Sequence, residues 1–236
     1  MPLDNGAWVF QISRMRRLIS IALLVLAWSG SPGLAALPSS TNQWEADIRS
    51  FEAADKTNPP VSGGIVFVGS SSIRLWKSLA VDFKGFPVLN RGFGGSQLSD
   101  CVWYADRIVL PYHPRQVVVY AGDNDLAAGK SPDQVFEAFE ALVKKVHSAL
   151  PDARISYISV KPSPARSTLL SQMRVINQRI ADFIRGRRNR EFIDVFNPML
   201  RADGQPRPEI FAADKLHLNA QGYQLWTELV RPHLLR

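Results

Sequence analysis

Four short polar clusters stand out in the chain: Gly69-Ser70-Ser71-Ser72, Asn90-Arg91-Gly92-Phe93-Gly94-Gly95-Ser96, Gly122-Asp123-Asn124-Asp125 and Asp214-Lys215-Leu216-His217. Together they offer hydroxyls, glycine backbone donors, a side-chain amide, and an imidazole with a carboxylate three residues before it. A serine hydroxyl becomes a useful nucleophile only when a base removes its proton. A neutral imidazole suits that task near neutral pH. The Asp-x-x-His spacing lets one turn bring the carboxylate of Asp214 onto the ring of His217, where it would fix the tautomer and stabilise the imidazolium. The other three histidines read as structural. His147 falls in an apolar-striped helical stretch, His113 in a Pro-Tyr-His-Pro turn, and His233 just after Pro232. No Cys-x-x-Cys, His-Glu-x-x-His or histidine cluster is present, so no metal or cofactor is indicated. The single cysteine, Cys101, cannot form an intrachain disulfide.

The elements that must position these clusters follow from apolar patterning. Ile65–Val68, Pro87–Leu89, Gln116–Ala121, Arg154–Val160 and Phe192–Val195 are five short apolar runs. Continuous rather than alternating apolar character suits a parallel sheet covered on both faces. Between the runs lie helical stripes. Trp44, Ile48 and Phe51 begin one, capped at Thr41 or Asn42 and ended by Asn58-Pro59-Pro60. Ser131-Pro132-Asp133-Gln134 is a capping box opening a stripe of Val135, Phe139, Leu142 and Val146. Leu169, Met173, Ile176, Ile180 and Phe183 trace a third, and Asn219 caps a last helix carrying Tyr223, Trp226 and Val230. The alternation predicts a three-layer α/β/α domain on a flavodoxin-like five-stranded parallel sheet. Each polar cluster then falls at a strand end or a helix entry, where such sheets place function.

The four clusters, in this order, resemble the conserved blocks of the SGNH (GDSL-like) hydrolases. Phe67 to Ile73 resembles the Gly-Asp-Ser block, Gly92 to Gly95 the glycine block, Gly122 to Asp125 the Gly-x-Asn-Asp block, and Asp214 to His217 the Asp-x-x-His block. The resemblance spans residues 65 to 222. It departs from the family at Ser70, where an acidic residue is usual, as in a subgroup that shares Gly-Ser-Ser-Ser-Ile-Arg-Leu-Trp. The resemblance implies carboxylic ester hydrolysis with Ser71 as nucleophile, His217 as base and Asp214 as its orienter. It implies an oxyanion hole from the backbone N–H of Ser71, the backbone N–H of Gly95 and the side-chain amide of Asn124. Glycine at 95 would let the backbone approach with no Cβ in the way, and Gly94 is an alternative donor. Ser70 or Ser72 would cap the helix that follows. Asp123 and Asp125 read as loop scaffolding around Asn124. Small acyl groups, including those on glycans, are the expected substrates; the alternatives are a longer acyl groove suited to lysophospholipids or thioesters, and a binding protein with a relic site.

Residues 1–35 have the form of a secretory signal peptide. Arg14, Arg16 and Arg17 precede an apolar run from Leu18 to Trp28, and small residues close at Gly33-Leu34-Ala35. Residues 36–236 would form the mature domain, secreted or periplasmic, with no stable membrane insertion once the leader is cleaved. The leader holds three arginines and one aspartate, so about +5 of the formal +7 charge would remain. Part of it is the run Arg185, Arg187, Arg188 and Arg190 around Gly186, a composition suited to a helix C-terminus. No nucleic-acid motif accompanies it, so nucleic acid is not an expected partner.

Overall fold

The computed structural model describes residues 43–236. The expected leader and the caps Thr41 and Asn42 lie outside them. Strands and helices alternate: α1 (Glu45–Thr57), β1 (Ile65–Gly69), α2 (Ser71–Arg74), α3 (Leu79–Asp82), β2 (Val88–Gly92), α4 (Leu98–Ile108), β3 (Gln116–Tyr120), α5 (Asp123–Ala127), α6 (Pro132–Ala149), β4 (Arg154–Ile158), α7 (Leu170–Ile184), β5 (Arg190–Ile193) and α8 (Ala220–Val230). All strand pairs are parallel, in the order β2-β1-β3-β4-β5. Every strand is flanked by helical chain, so both faces of the sheet can be covered, as the uninterrupted apolar runs require.

Alternate residues of each strand feed two separate cores. Val66, Val68, Val117, Val119, Ile155 and Tyr157 pack with the buried stripes of α1, α4, α6 and α7. Ile65, Phe67, Val118, Tyr120 and Ile158 pack with Ile73, Leu79, Tyr223 and Trp226 of α2, α3 and α8. Each such buried Val, Ile or Phe contributes about 1.5–3 kcal/mol of burial. The α/β/α sandwich expected from the sequence is therefore present. The strand order reverses between β1 and β3, so a crevice opens at their carboxyl ends.

Element boundaries differ from the sequence expectation for local reasons. β2 continues through Asn90 and Arg91 because their polar groups find partners: Asn90 Nδ2 donates to Ile73 O at 2.7 Å, and buried Arg91 meets Tyr112 and Asp55. β4 stops at Ile158 because the Asn177 side chain takes both the N–H and the carbonyl of Val160. β5 ends at Ile193, where Asp194 Oδ1 captures the N–H groups of Phe196 and Asn197. The capping box at Ser131 and Gln134 and the Asn219 cap are both formed. Helix α4 was not anticipated. Its box is Gln97 with Asp100 rather than a Ser/Thr–Glu pair, although Leu98, Cys101, Ala105 and Ile108 keep helical spacing.

Candidate active site

The first wall of the site is the β1–α2 junction. Gly69 has φ +140°, and a Cβ there would lie 1.8 Å from the Tyr120 carbonyl oxygen, so only glycine lets β1 end hard against β3. The chain then turns at once into α2. Ser70 donates its N–H to Tyr120 O, and its own carbonyl accepts from Ile73 and Arg74. Ser70 and Ser72 are buried, while Ser71 opens α2 partly exposed. The capping expectation fails here: Ser70 sits at the N-cap position, but its side chain makes no cap hydrogen bond and its buried Oγ has no partner among the described residues. From the other side, Tyr223 of α8 donates to Ser72 O at 3.0 Å and ties α2 to the last helix.

The loop entering α8 supplies the second wall. Asp214 Oδ1 accepts the N–H groups of Leu216 and His217, both at 2.9 Å, with Lys215 between them in the left-handed region at φ 56°. This turn is closed by Ala212 N–H donating to His217 O. It frees Asp214 Oδ2 to meet His217 Nδ1 at 2.6 Å, so one carboxylate serves both as turn former and as ring partner. The opposite ring nitrogen, Nε2, lies 3.0 Å from Ser71 Oγ. The His217 hydrogen bond, then the two backbone donors, hold the Asp214 carboxyl down to about 2. A carboxylate at Nδ1 favours the tautomer with its proton there, leaving the Nε2 lone pair toward the serine hydroxyl.

The third wall holds the amide. Gly95 has φ +79°, and a Cβ there would meet nothing within 4 Å. Glycine is favoured here by the left-handed backbone, and no described residue crowds the position. Trp44 Nε1 donates to Gly94 O at 2.7 Å and fixes the loop from α1. The backbone N–H groups of Ser71 and Gly95 have no acceptor among the described residues. Asn124 lies in the first turn of α5, a short helix where the sequence suggested a loop. Its Nδ2 donates to Ser96 O at 3.0 Å and its Oδ1 accepts from Arg166 at 2.9 Å. These two contacts fix which way the amide points and leave one N–H of Nδ2 to spare.

Beneath Asn124 runs a buried ion network that the sequence reading missed. Asp123 Oδ2 accepts from Arg166 at 2.7 Å and from Lys161 at 3.3 Å. Burial alone would raise the Asp123 carboxyl, but Lys161 and Arg166 hold it below its ordinary value. Burial likewise lowers the Lys161 ammonium, with Asp123 partly restoring it. Asp125 accepts from the Leu98 N–H and from Lys130, joining α5 to the start of α4. Two cations in Lys161-Pro162-Ser163-Pro164-Ala165-Arg166, directly after a strand, were the available signal.

Ser71, His217, Gly94, Gly95 and Asn124 line one cavity of about 340 Å³, together with Asp47, Arg74 and Leu216. The other histidines are engaged elsewhere: His147 with Ala153 O, His233 with Glu191, and His113 in a left-handed turn. No group of three or more His, Cys, Asp or Glu residues able to hold a metal occurs among the described residues. None of the described helices is long and apolar enough to cross a membrane.

Comparison with known proteins agrees with this architecture. The model of the GDSL-like lipase/acylhydrolase family matches residues 65–225. The platelet-activating factor acetylhydrolase IB subunit alpha1 of Pongo abelii is 27% identical over 226 residues, covering 88% of this chain and 92% of that protein. The human protein of the same name is 26% identical over 223 residues, with the same coverage of 88% and 92%. Among solved structures, a GDSL-like lipase from Bacteroides thetaiotaomicron superposes with a TM-score of 0.70 at 18% identity, covering 80% of this chain and 97% of that one. A lipase/acylhydrolase from Enterococcus faecalis gives 0.55 at 20% identity, covering 72% and 93%. At these identities the structural likeness speaks for the fold.

Proposed function

The chain belongs to the GDSL-like lipase/acylhydrolase family, and from that premise we propose that it hydrolyses carboxylic esters through an acyl-enzyme on Ser71. The observation that carries this reading is the continuous contact from Asp214 through His217 to Ser71, at 2.6 and 3.0 Å, opening on a cavity. Ser71 Oγ attacks the ester carbonyl while His217 Nε2 takes its proton. The tetrahedral oxyanion accepts from the N–H groups of Ser71 and Gly95 and from Asn124 Nδ2. His217 then protonates the departing alcohol, leaving the acyl group on Ser71. Water then attacks the acyl carbonyl as His217 takes its proton, and on collapse His217 returns that proton to Ser71 Oγ while the carboxylic acid leaves.

A cavity of about 340 Å³ stands at the small end of ligand sites, which run from roughly 300 to 1,000 Å³. That supports a short acyl group over a long one, as does the acetylhydrolase name of the relatives. Acyl groups on carbohydrate are within this class. The test is turnover of an acyl-ester series from acetyl to dodecanoyl, with Ser71→Ala alongside. Activity should be greatest on the shortest chains and vanish in Ser71→Ala. A folded Ser71→Ala variant at the parent rate would overturn the reading. Cleavage after residue 35 and export belong to the same proposal. Intact mass of the protein from its native host should then begin near Ala36, and retention of Met1 or Met15 would exclude it.

A further inference from the structure

We propose that Arg74 makes this site selective for esters bearing an anionic oxygen group, carboxylate or phosphate, beside the scissile bond; the inference rests on the ester-hydrolase reading above. Ser71 and Arg74 are the first and last residues of α2, one turn apart, so they share a side of that turn. Arg74 lines the same cavity as Ser71 and His217. Its guanidinium lies flat against the glycine loop: a Cβ at Gly94 would sit 2.8 Å from Nε and 3.0 Å from Cζ. The absence of a side chain at 94 is what gives the guanidinium this place.

The charge of Arg74 is uncommitted. Arg91, Arg107 and Arg166 each close onto a carboxylate, and Arg174 and Arg190 lie over aromatic rings. Arg74 has neither kind of partner among the described residues. Asp47 of α1 lines the same cavity but forms no ion pair with it. Arg74 also borders an adjoining cavity of about 310 Å³, whose lining includes Lys77. A guanidinium presents paired N–H donors that match carboxylate or phosphate oxygens, and the exposed Arg74 side chain carries them on the cavity lining.

Three acetate esters test this: those of 4-hydroxybenzoate, of 4-hydroxyphenyl phosphate and of methyl 4-hydroxybenzoate. They carry a carboxylate, a phosphate and no charge on similar leaving groups. Each charged-to-neutral ratio of kcat/KM is compared between variants, which cancels intrinsic reactivity. Arg74→Gln should lower at least one ratio about tenfold, and the arm that falls tells carboxylate from phosphate. Arg74→Lys should lie between, and Asp47→Asn should raise the affected ratio. Raising ionic strength should shrink the parent's preference. Both ratios within twofold of parent in Arg74→Gln would overturn the proposal, as would a parent preference insensitive to salt. Neutral-ester turnover that survives Ser71→Ala would instead count against the ester-hydrolase reading itself.

Discussion

Asp214 has 49% of its side chain exposed and reaches a partner three residues away, whereas Asp123 has 6% exposed and draws its partners from 38 and 43 residues away. The base side of the site is thus mostly a local device, a turn formed by Asp214 hydrogen bonds that span three residues or fewer, with one long-range tie from the Ala165 N–H to the Lys215 carbonyl. The amide side is a long-range device, an α5 turn held by two cations from the chain after β4. The difference separates two kinds of dependence. Residues of the exposed turn can be changed at little cost to folding, because water already solvates their charges. Breaking the buried network leaves a charge without its counter-ion. Chemistry and stability therefore load on different residues around the site.

The largest expected effect lies on the base side. His217→Ala should lower kcat on the order of 10⁴-fold or more, with the thermal midpoint nearly unchanged. His147→Ala should leave kcat close to parent. Equal losses in two folded variants would break the contrast. Stability should show the reverse pattern. Asp123→Ala strands Lys161, which is 1% exposed, and should cost about 3–5 kcal/mol in denaturant unfolding. Asp214→Ala should cost about 1 kcal/mol or less while abolishing most turnover. A similar stability loss in both would show that the exposed turn also holds the fold.

A finer probe sits where the two devices meet. Asn124→Ala should lower kcat by about 10²–10³-fold with KM little changed, as for a donor acting in the transition state. Arg166→Gln, which removes the charged donor from the Asn124 oxygen, should lower kcat by about tenfold in a wild-type background. In an Asn124→Ala background the same change should have almost no effect on kcat. Additive losses would mean that Arg166 acts through the fold and not through the amide.

The smallest effect is a slope. The Asp214 carboxyl titrates at about 2, well below its ordinary 3.8. It stays ionised down to strongly acid pH, so between pH 8 and pH 4 Asp214 itself takes up no proton. Any acid limb of log kcat/KM above pH 4 should therefore be no steeper than one. A slope of two in that window would mean that the Asp214 carboxyl protonates there as well. For folding, a depressed carboxyl contributes stability that is present above its ordinary value and lost as pH falls through its folded one. The parts contributed by Asp214 and Asp123 should therefore fade only below about pH 4.

The same local–remote division decides what could be read from the sequence. Asp214 and His217 were legible because three residues separate them and one turn suffices. The strands were legible as apolar runs, since burial on both faces leaves no alternation to misread. Their ends were not, because Asn177 and Asp194 cap the ladders through side chains whose targets only the fold defines. Lys161 and Arg166 stand out as two cations directly after a strand, but nothing nearby in the sequence pairs Arg166 with Asp123 and Asn124. Gly69 and Gly95 look alike in the sequence for a related reason: residue type announces a special backbone angle and a tight approach alike, and only the surrounding atoms distinguish them.

The Trp44 indole on the Gly94 carbonyl gives α1 a part in the life of the site beyond packing. A helix packed mainly on one neighbour, as α1 is on α4, can open locally at a free energy below that of global unfolding. Here such an opening would release the loop that carries Gly95 while leaving the sheet intact. The enzyme would then have a folded but slack population, its size set by α1 and its anchors Arg107 on Glu45 and Arg91 on Asp55. Amide exchange at Gly94 and Gly95 would follow that of α1 rather than that of β1 and β3. Hydrolysis would fade at a lower denaturant concentration than the far-ultraviolet signal of the domain, and tightening the first helix would bring the two transitions together.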